Sequence, residues 1–314
     1  MTARRPPVAR LAAGALAVVG ALGACAPGSS SPGEAAGSGA VTTSASTPVT
    51  SVTPTPSTTS TTTPARRTTT TSRPTPSPTT TTRRPRPAGP ERLPAVPRAG
   101  AEPTVRFPRN EPASGRGANA TVAPVPDGLW SQMVGTAWTP GCPVGRSGLR
   151  VVRVNFWGFD GVRSRGTLVV NASIADATAR AFTRLYDLRF RIRQIRPMDG
   201  SWGAHPKGPG ADDYAAMEAD DTSAFNCRYV GGEEEKKQYS RHAYGLAIDV
   251  NPFENPYLAP DGAVYPDPWW SRRRAPAPGV FSSSGSAAVR AFTSQGFGWG
   301  GLWAHPDYQH FDVR

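Results

Sequence analysis

The sequence predicts an α+β fold: a small mixed or antiparallel sheet with packed helices. Three observations lead there. Apolar and aromatic residues concentrate after about residue 125. Within that stretch, short alternating or β-branched runs are interspersed with segments of helical spacing. The elements follow one another without a regular strand–helix–strand repeat, which argues against a parallel α/β sheet.

The elements can be taken in chain order. "DGLWSQMVGTAWTPGCPVG" opens the folded part, and "LRVVRVNFWGF" (149–159) alternates through its middle and reads as a strand. "RGTLVVN" (165–171) reads as a second strand, with the turn "GFDG" between them. "SIADATARAFTRLYDL" (173–188) reads as an amphipathic helix, with Ile174, Ala177, Ala181, Leu185 and Leu188 on one face. "RIRQIRPM" is a third strand, and "TSAFNCRYV" and "GLAIDVNPF" are two more candidates. "SAAVRAFTSQGF" (286–297) reads as a second helix ended by Gly296, and "DYQHFDVR" closes the chain as a short strand.

The chain before this region has a different character. Its formal charge of +12 is concentrated in residues 1–120, which hold 14 Arg, no Lys and 4 Glu; the remainder is nearly balanced. Arginines scattered through Thr and Pro, with few aromatics, argue against nucleic-acid binding and for attraction to an anionic surface such as wall polymers or lipid headgroups. Residues 1–25 read as an export signal. Arg4, Arg5 and Arg10 precede the apolar run "LAAGALAVVGALGA", which is too short for a comfortable membrane span. The run ends in "LGAC" and resembles the bacterial lipobox, whose Cys, here Cys25, is lipidated to anchor the protein to the membrane; an ordinary cleaved signal is the other reading.

Residues 26–120 are low in complexity and read as a disordered tether, leaving 121–314 as the folded domain. Such a tether spans roughly 50 Å as a flexible coil and well over 200 Å if fully extended. Setting Cys25 aside leaves Cys142 and Cys227. An even pair in an exported protein suggests a disulfide, and two free buried thiols are the alternative.

The chemistry-bearing residues sit near the C-terminus. The chain has four histidines: His205, His242, His305 and His310. A catalytic zinc takes three protein ligands and keeps one position for water. In "SRHAYGLAIDVNPFENPY", His242 and Asp249 can supply two of them; His310, in "HPDYQHF", is the best third, with His305 as its rival. By itself the His–Asp pair is a weak signal, since such pairs are often structural.

The surrounding sequence is more specific. "SRHAYGLAIDVNPFENPY" and "GFGWGGLWAHPDYQHFD" resemble the D-alanyl-D-alanine carboxypeptidase family of zinc peptidases, which includes D,D-dipeptidases of vancomycin resistance and L-alanyl-D-glutamate endopeptidases. "DDYAAMEADDTSAFNCR" is similar to a third landmark of that family, ending in an Arg. The resemblance covers about residues 125–314 and implies a zinc-peptidase fold shared with Hedgehog domains. It implies that His242, Asp249 and His310 ligate Zn2+, that Asp307 is the general base where many relatives carry Glu, and that Arg228 polarises the scissile carbonyl or holds a substrate carboxylate. Ser240, Tyr244 and Trp299 are expected beside the site. The implied substrate is a peptidoglycan stem peptide, cut by a monomeric exported enzyme. Two other readings remain open on the residues alone: a wall-binding lipoprotein that keeps a zinc site without catalysis, and a non-haem iron oxygenase, whose usual His-x-Asp/Glu spacing is absent here.

Overall fold

In a computed structural model of the chain, residues 91–97 and 100–314 are described. The expected export signal, Cys25 and most of the expected tether lie outside the described residues. The folded part is mixed α+β with small, mainly antiparallel sheets. The largest sheet is antiparallel in the order β1–β4–β3–β2, built from β1 (Glu111–Pro112), β2 (Thr121–Pro124), β3 (Leu149–Trp157) and β4 (Arg163–Asn171). β3 and β4 pair continuously from Leu149↔Asn171 to Trp157↔Arg163.

Both faces of this pair are covered. Val152, Val154, Phe156, Leu168 and Val170 join one core with helix α2 (Ala175–Asp187), while Leu149, Val151 and Val169 join a second core with Met133, Trp202 and Phe225. Two-sided burial is the reason the run reads as Val-Val rather than strictly alternating. In α2 the buried face is Ala175, Thr178, Ala181, Phe182, Leu185 and Tyr186. Leu188, expected on that face, lies past the last helical turn and is exposed. Helix α1 is Asp127–Met133.

The next segments depart from expectation. "RIRQIRPM" contributes only two residues, and "TSAFNCRYV" only Thr222, to a short parallel pair, β5 (Gln194–Ile195) with β6 (Asp221–Thr222). Beyond β6 the backbone crosses between pieces instead of following one ladder. Phe225 N–H donates to Val169 O, Asn226 N–H to His242 O and Cys227 N–H to Ala137 O. Helix α3 (Asp213–Glu218), absent from the sequence reading, precedes β6 and is capped by Asp212, whose Oδ1 accepts from Ala215 N. Cys142 and Cys227 form a disulfide.

A second sheet carries the chemistry. Strand β7 (Ala247–Asp249) is followed by the hairpin β8 (Tyr257–Leu258) and β9 (Val264–Tyr265). Helix α4 (Ala287–Thr293) is capped by Ser286, and its Phe292 meets Phe182 of α2 edge-on at 5.5 Å between ring centroids. Strands β10 (Gly298–Trp299) and β11 (His310–Asp312) complete an antiparallel sheet in the order β10–β11–β7.

The folded part begins upstream of residue 121, which corrects the expected domain boundary. β1 lies at 111–112, Ala118 is in the main core, and Leu93 packs against it. Leu93 N–H also donates to Gly161 O and Val96 N–H to Phe159 O. Composition concealed this, because the segment is held mostly through its backbone, which any sequence can offer.

Candidate metal centre

The three side chains singled out for a metal come together. His242 enters from a 3-10 turn at Arg241–Tyr244, capped by Ser240, whose Oγ accepts from His242 N. The turn ends at Gly245 with φ +67°, and Gly245 O accepts from Asn171 N, which docks the turn on the end of β4. A Cβ at Gly245 would lie 2.7 Å from Asn171 N, so both conformation and space require glycine here. Asp249 and His310 are direct cross-strand partners in β7 and β11 and therefore face the same side.

His242 Nε2 lies 3.1 Å from Asp249 Oδ2 and 3.3 Å from His310 Nδ1, and His310 Nδ1 lies 3.0 Å from Asp249 Oδ1. Ligand atoms about a tetrahedral zinc with bonds near 2.0–2.1 Å stand roughly 3.3 Å apart, so this spacing fits such an ion. Two further observations support the fit. His242 Nδ1–H donates to Ala224 O at 2.6 Å, which leaves Nε2 as the electron-pair donor toward the cluster. His242 and His310 are also buried and Asp249 half-buried, and although burial opposes ionisation of Asp249, the neighbouring His242 and His310 outweigh it and hold that carboxyl far below its ordinary range. Among the described residues this is the group of three His, Cys, Asp or Glu side chains able to hold a metal ion.

The cluster forms one wall of a cavity of about 190 Å³, also lined by Asp307, Arg228, Ser240, Tyr257 and Trp303. Asp307 is brought in by its backbone. Its N–H donates to Gly300 O, and a Cβ at Gly300 would stand 2.7 Å from Asp307 O and 3.2 Å from His310 Cβ. The Gly-Gly turn after β10 is thus what allows the Asp307–His310 segment to approach. Asp307 Oδ1 is buried without a hydrogen-bond partner. Burial, then the nearby Asp249, push its carboxyl up to about 7. A carboxyl near neutrality in a cavity beside a metal cluster suits proton transfer.

Arg228 lies in the cavity wall, and its partner is Asp213 at 2.5 Å rather than the Glu-rich segment after it. Asp213 was missed in the sequence; the only signal was its place within the landmark that ends in Arg228. His305 is exposed and stands outside the cluster. Two expectations are corrected. Tyr244 is exposed and does not line the cavity; its carbonyl accepts from Asn171 Nδ2. Trp299 is a core residue whose Nε1–H donates to Tyr308 O, and Trp303 takes the place at the cavity, 5.1 Å from the His310 ring.

Residues 234–313 match the family model described as D-alanyl-D-alanine carboxypeptidase. The match is confined to this C-terminal segment. The carboxypeptidase match contains His242, Asp249, Asp307 and His310, and it begins after Arg228, Asp213 and the disulfide. It supports a peptidase. Comparison with the curated proteins and with the solved structures found no match.

Proposed function

We propose that this protein is an exported zinc peptidase that hydrolyses stem peptides of peptidoglycan, working as a monomer on a Hedgehog-like zinc-peptidase fold and held at the membrane through a lipid on Cys25. The observation that carries this reading is the convergence of His242, Asp249 and His310, with ligand atoms within 4.8 Å of one another, in a cavity that Asp307 and Arg228 also line.

His242, Asp249 and His310 would hold the ion. When bound, zinc supplies Lewis acidity at the scissile carbonyl and a more acidic water. Asp307 would serve as the proton carrier, taking up a proton at its carboxylate as the nucleophile forms and giving it to the leaving amine, a role that its carboxyl, pushed up to about 7, suits near neutral pH. Arg228 presents a fixed positive charge toward the oxygen on which negative charge develops, a contribution often worth about 3–4 kcal/mol when such a donor is removed. Trp303 supplies an apolar wall against which a substrate side chain or sugar can lie.

The test is digestion of purified muropeptides by the full chain, with the new ends identified by mass spectrometry and bound metal measured on the same sample. Loss of a terminal D-alanine or cleavage within the stem is expected. His242→Ala should abolish both cleavage and metal binding. A protein that carries zinc but leaves every muropeptide intact would turn the reading toward a wall-binding lipoprotein; iron as the bound metal would turn it toward an oxygenase.

A further inference from the structure

The cavity wall holds a second cluster of buried polar groups beside the metal ligands. The carboxylate of Asp213, the first residue of α3, lies between His205 and Arg228: Oδ1 is 3.1 Å from His205 Nε2, and Oδ2 is 2.5 Å from Arg228 Nε. The three side chains are 15%, 2% and 13% exposed respectively. These are close contacts of charge and dipole rather than well-aligned hydrogen bonds. His205 Nδ1 accepts the backbone N–H of Lys207 at 3.1 Å, so the ring's own N–H lies on Nε2, toward the carboxylate.

The loop that carries His205 is fastened to the Arg228 segment. Asn226 Oδ1 accepts from Ala211 N and Asn226 Nδ2 donates to Ala211 O, each at 2.9 Å. Gly210, at φ +106°, lies so close that a Cβ there would stand 2.9 Å from Arg228 Cβ. The disulfide fixes the residue immediately before Arg228. A surface salt bridge would need none of this fastening.

We propose that Asp213, held by His205, is a positioning residue that fixes the guanidinium of Arg228 for the reaction at the metal cluster. The inference rests on the peptidase reading above, in which Arg228 faces the scissile carbonyl. Its physical basis is competition. Burial disfavours the charge of Arg228, but Asp213, Asp249, Tyr214 and Asp307 all act on it electrostatically and together outweigh that burial. A guanidinium free to choose would pair with Asp249 or Asp307, taking a metal ligand or the base out of use. Asp213 occupies the Nε edge and Tyr229 O accepts from Nη1 at 3.0 Å, leaving the remaining edge for a substrate. His205 in turn prevents the Asp213 carboxylate from rotating away.

The test uses the full chain and a muropeptide that the wild type cleaves; if the wild type cleaves none, it is the peptidase reading that fails. Asp213→Asn is expected to lower kcat by roughly 10²-fold, with KM within about threefold and bound metal unchanged. In an Arg228→Ala background the same substitution should cost less than about twofold, because its effect passes through Arg228. His205→Gln, which can still donate to the carboxylate, should recover most of the kcat lost in His205→Ala. Ethylguanidinium should restore part of the rate of Arg228→Ala, but not once Asp213→Asn is added. Independent, multiplying losses from Asp213→Asn and Arg228→Ala would overturn the proposal, as would an effect on KM alone or loss of bound metal. Should Asp213→Asn fail to fold, the His205 pair, measured in both the Arg228 and Arg228→Ala backgrounds, gives the same cycle.

Discussion

At the scale of single residues, the division of labour between the ligands and Asp307 is sharp enough to test. Asp307 lies in the same cavity as the metal cluster but outside the His–Asp–His group, and its Oδ1 has no protein partner. Asp307→Ala is therefore expected to keep its metal, by elemental mass spectrometry, while losing roughly 10²- to 10⁴-fold in kcat. A loss of metal together with rate would make Asp307 a ligand instead. The sequence offered His242, Asp249 and His310 together only through the resemblance of their flanking blocks to a peptidase family; by residue type alone, among four histidines, the His–Asp pair was a weak signal. It did not disclose Asp213. That carboxylate acquires its role when Asn226 fastens the 203–213 loop beside Arg228, a contact between residues 15 positions apart with no periodicity to betray it. Nor could it rank the tryptophans. Trp299 and Trp303 stand in one short block, and only the turn between them sends the first inward to the core and the second to the cavity.

At the scale of elements, β3, β4, α2 and α4 were readable because each carries a long apolar pattern of its own. The segments from 191 to 230 were not, since their backbone groups are satisfied by scattered partners. The α3–β6 junction shows what that irregularity costs. Asp221, the first residue of β6, is fully buried and neither carboxylate oxygen has a hydrogen-bond partner; Arg196 lies near enough only to moderate the effect. Burial raises its carboxyl well above the ordinary value of 3.8. The consequence for stability has a definite sign. Above the unfolded-state value, the unfolded chain sheds a proton that the folded chain retains, so stability is greatest at low pH and declines as pH climbs toward the folded-state value. Asp221→Asn removes that decline. Its Tm should match wild type near about pH 4 and exceed it near about pH 7.5. Thermal melts at the two pH values decide the matter, and a variant melting below wild type at the higher pH would mean that Asp221 is charged and paired in the fold.

At the scale of the whole molecule, the N-terminal boundary is the feature that composition misjudged most. Residues 91–120 look like a continuation of the Thr/Pro tether, yet part of the main sheet depends on them. Asn155, within β3, is completely buried, and its carboxamide is satisfied largely by this segment. Its Nδ2 donates to Ser114 O and Gly117 O at 2.7 and 2.9 Å, and its Oδ1 accepts from Ser114 N at 3.1 Å. Arg165 donates to Asn119 O, and Arg191 reaches Pro94 O. A buried polar side chain within a nine-residue strand is tolerable only when its partners are supplied, and here all of them but Arg165, whose Nη1 donates to Oδ1, come from a stretch without helix or strand signals. A chain beginning at residue 121 should accordingly be less stable than one beginning at residue 91. Exposing Asn155, losing β1 and removing Leu93 from the core edge together should cost at least about 2 kcal/mol. Denaturant titration of the two chains measures the difference directly. Asp249 and His310 lie on the other sheet, with His242 on the turn beside it, so the shorter chain, where it folds, should bind as much added zinc as the longer one. Equal midpoints would show that residues 91–120 rest on the surface without supporting β3.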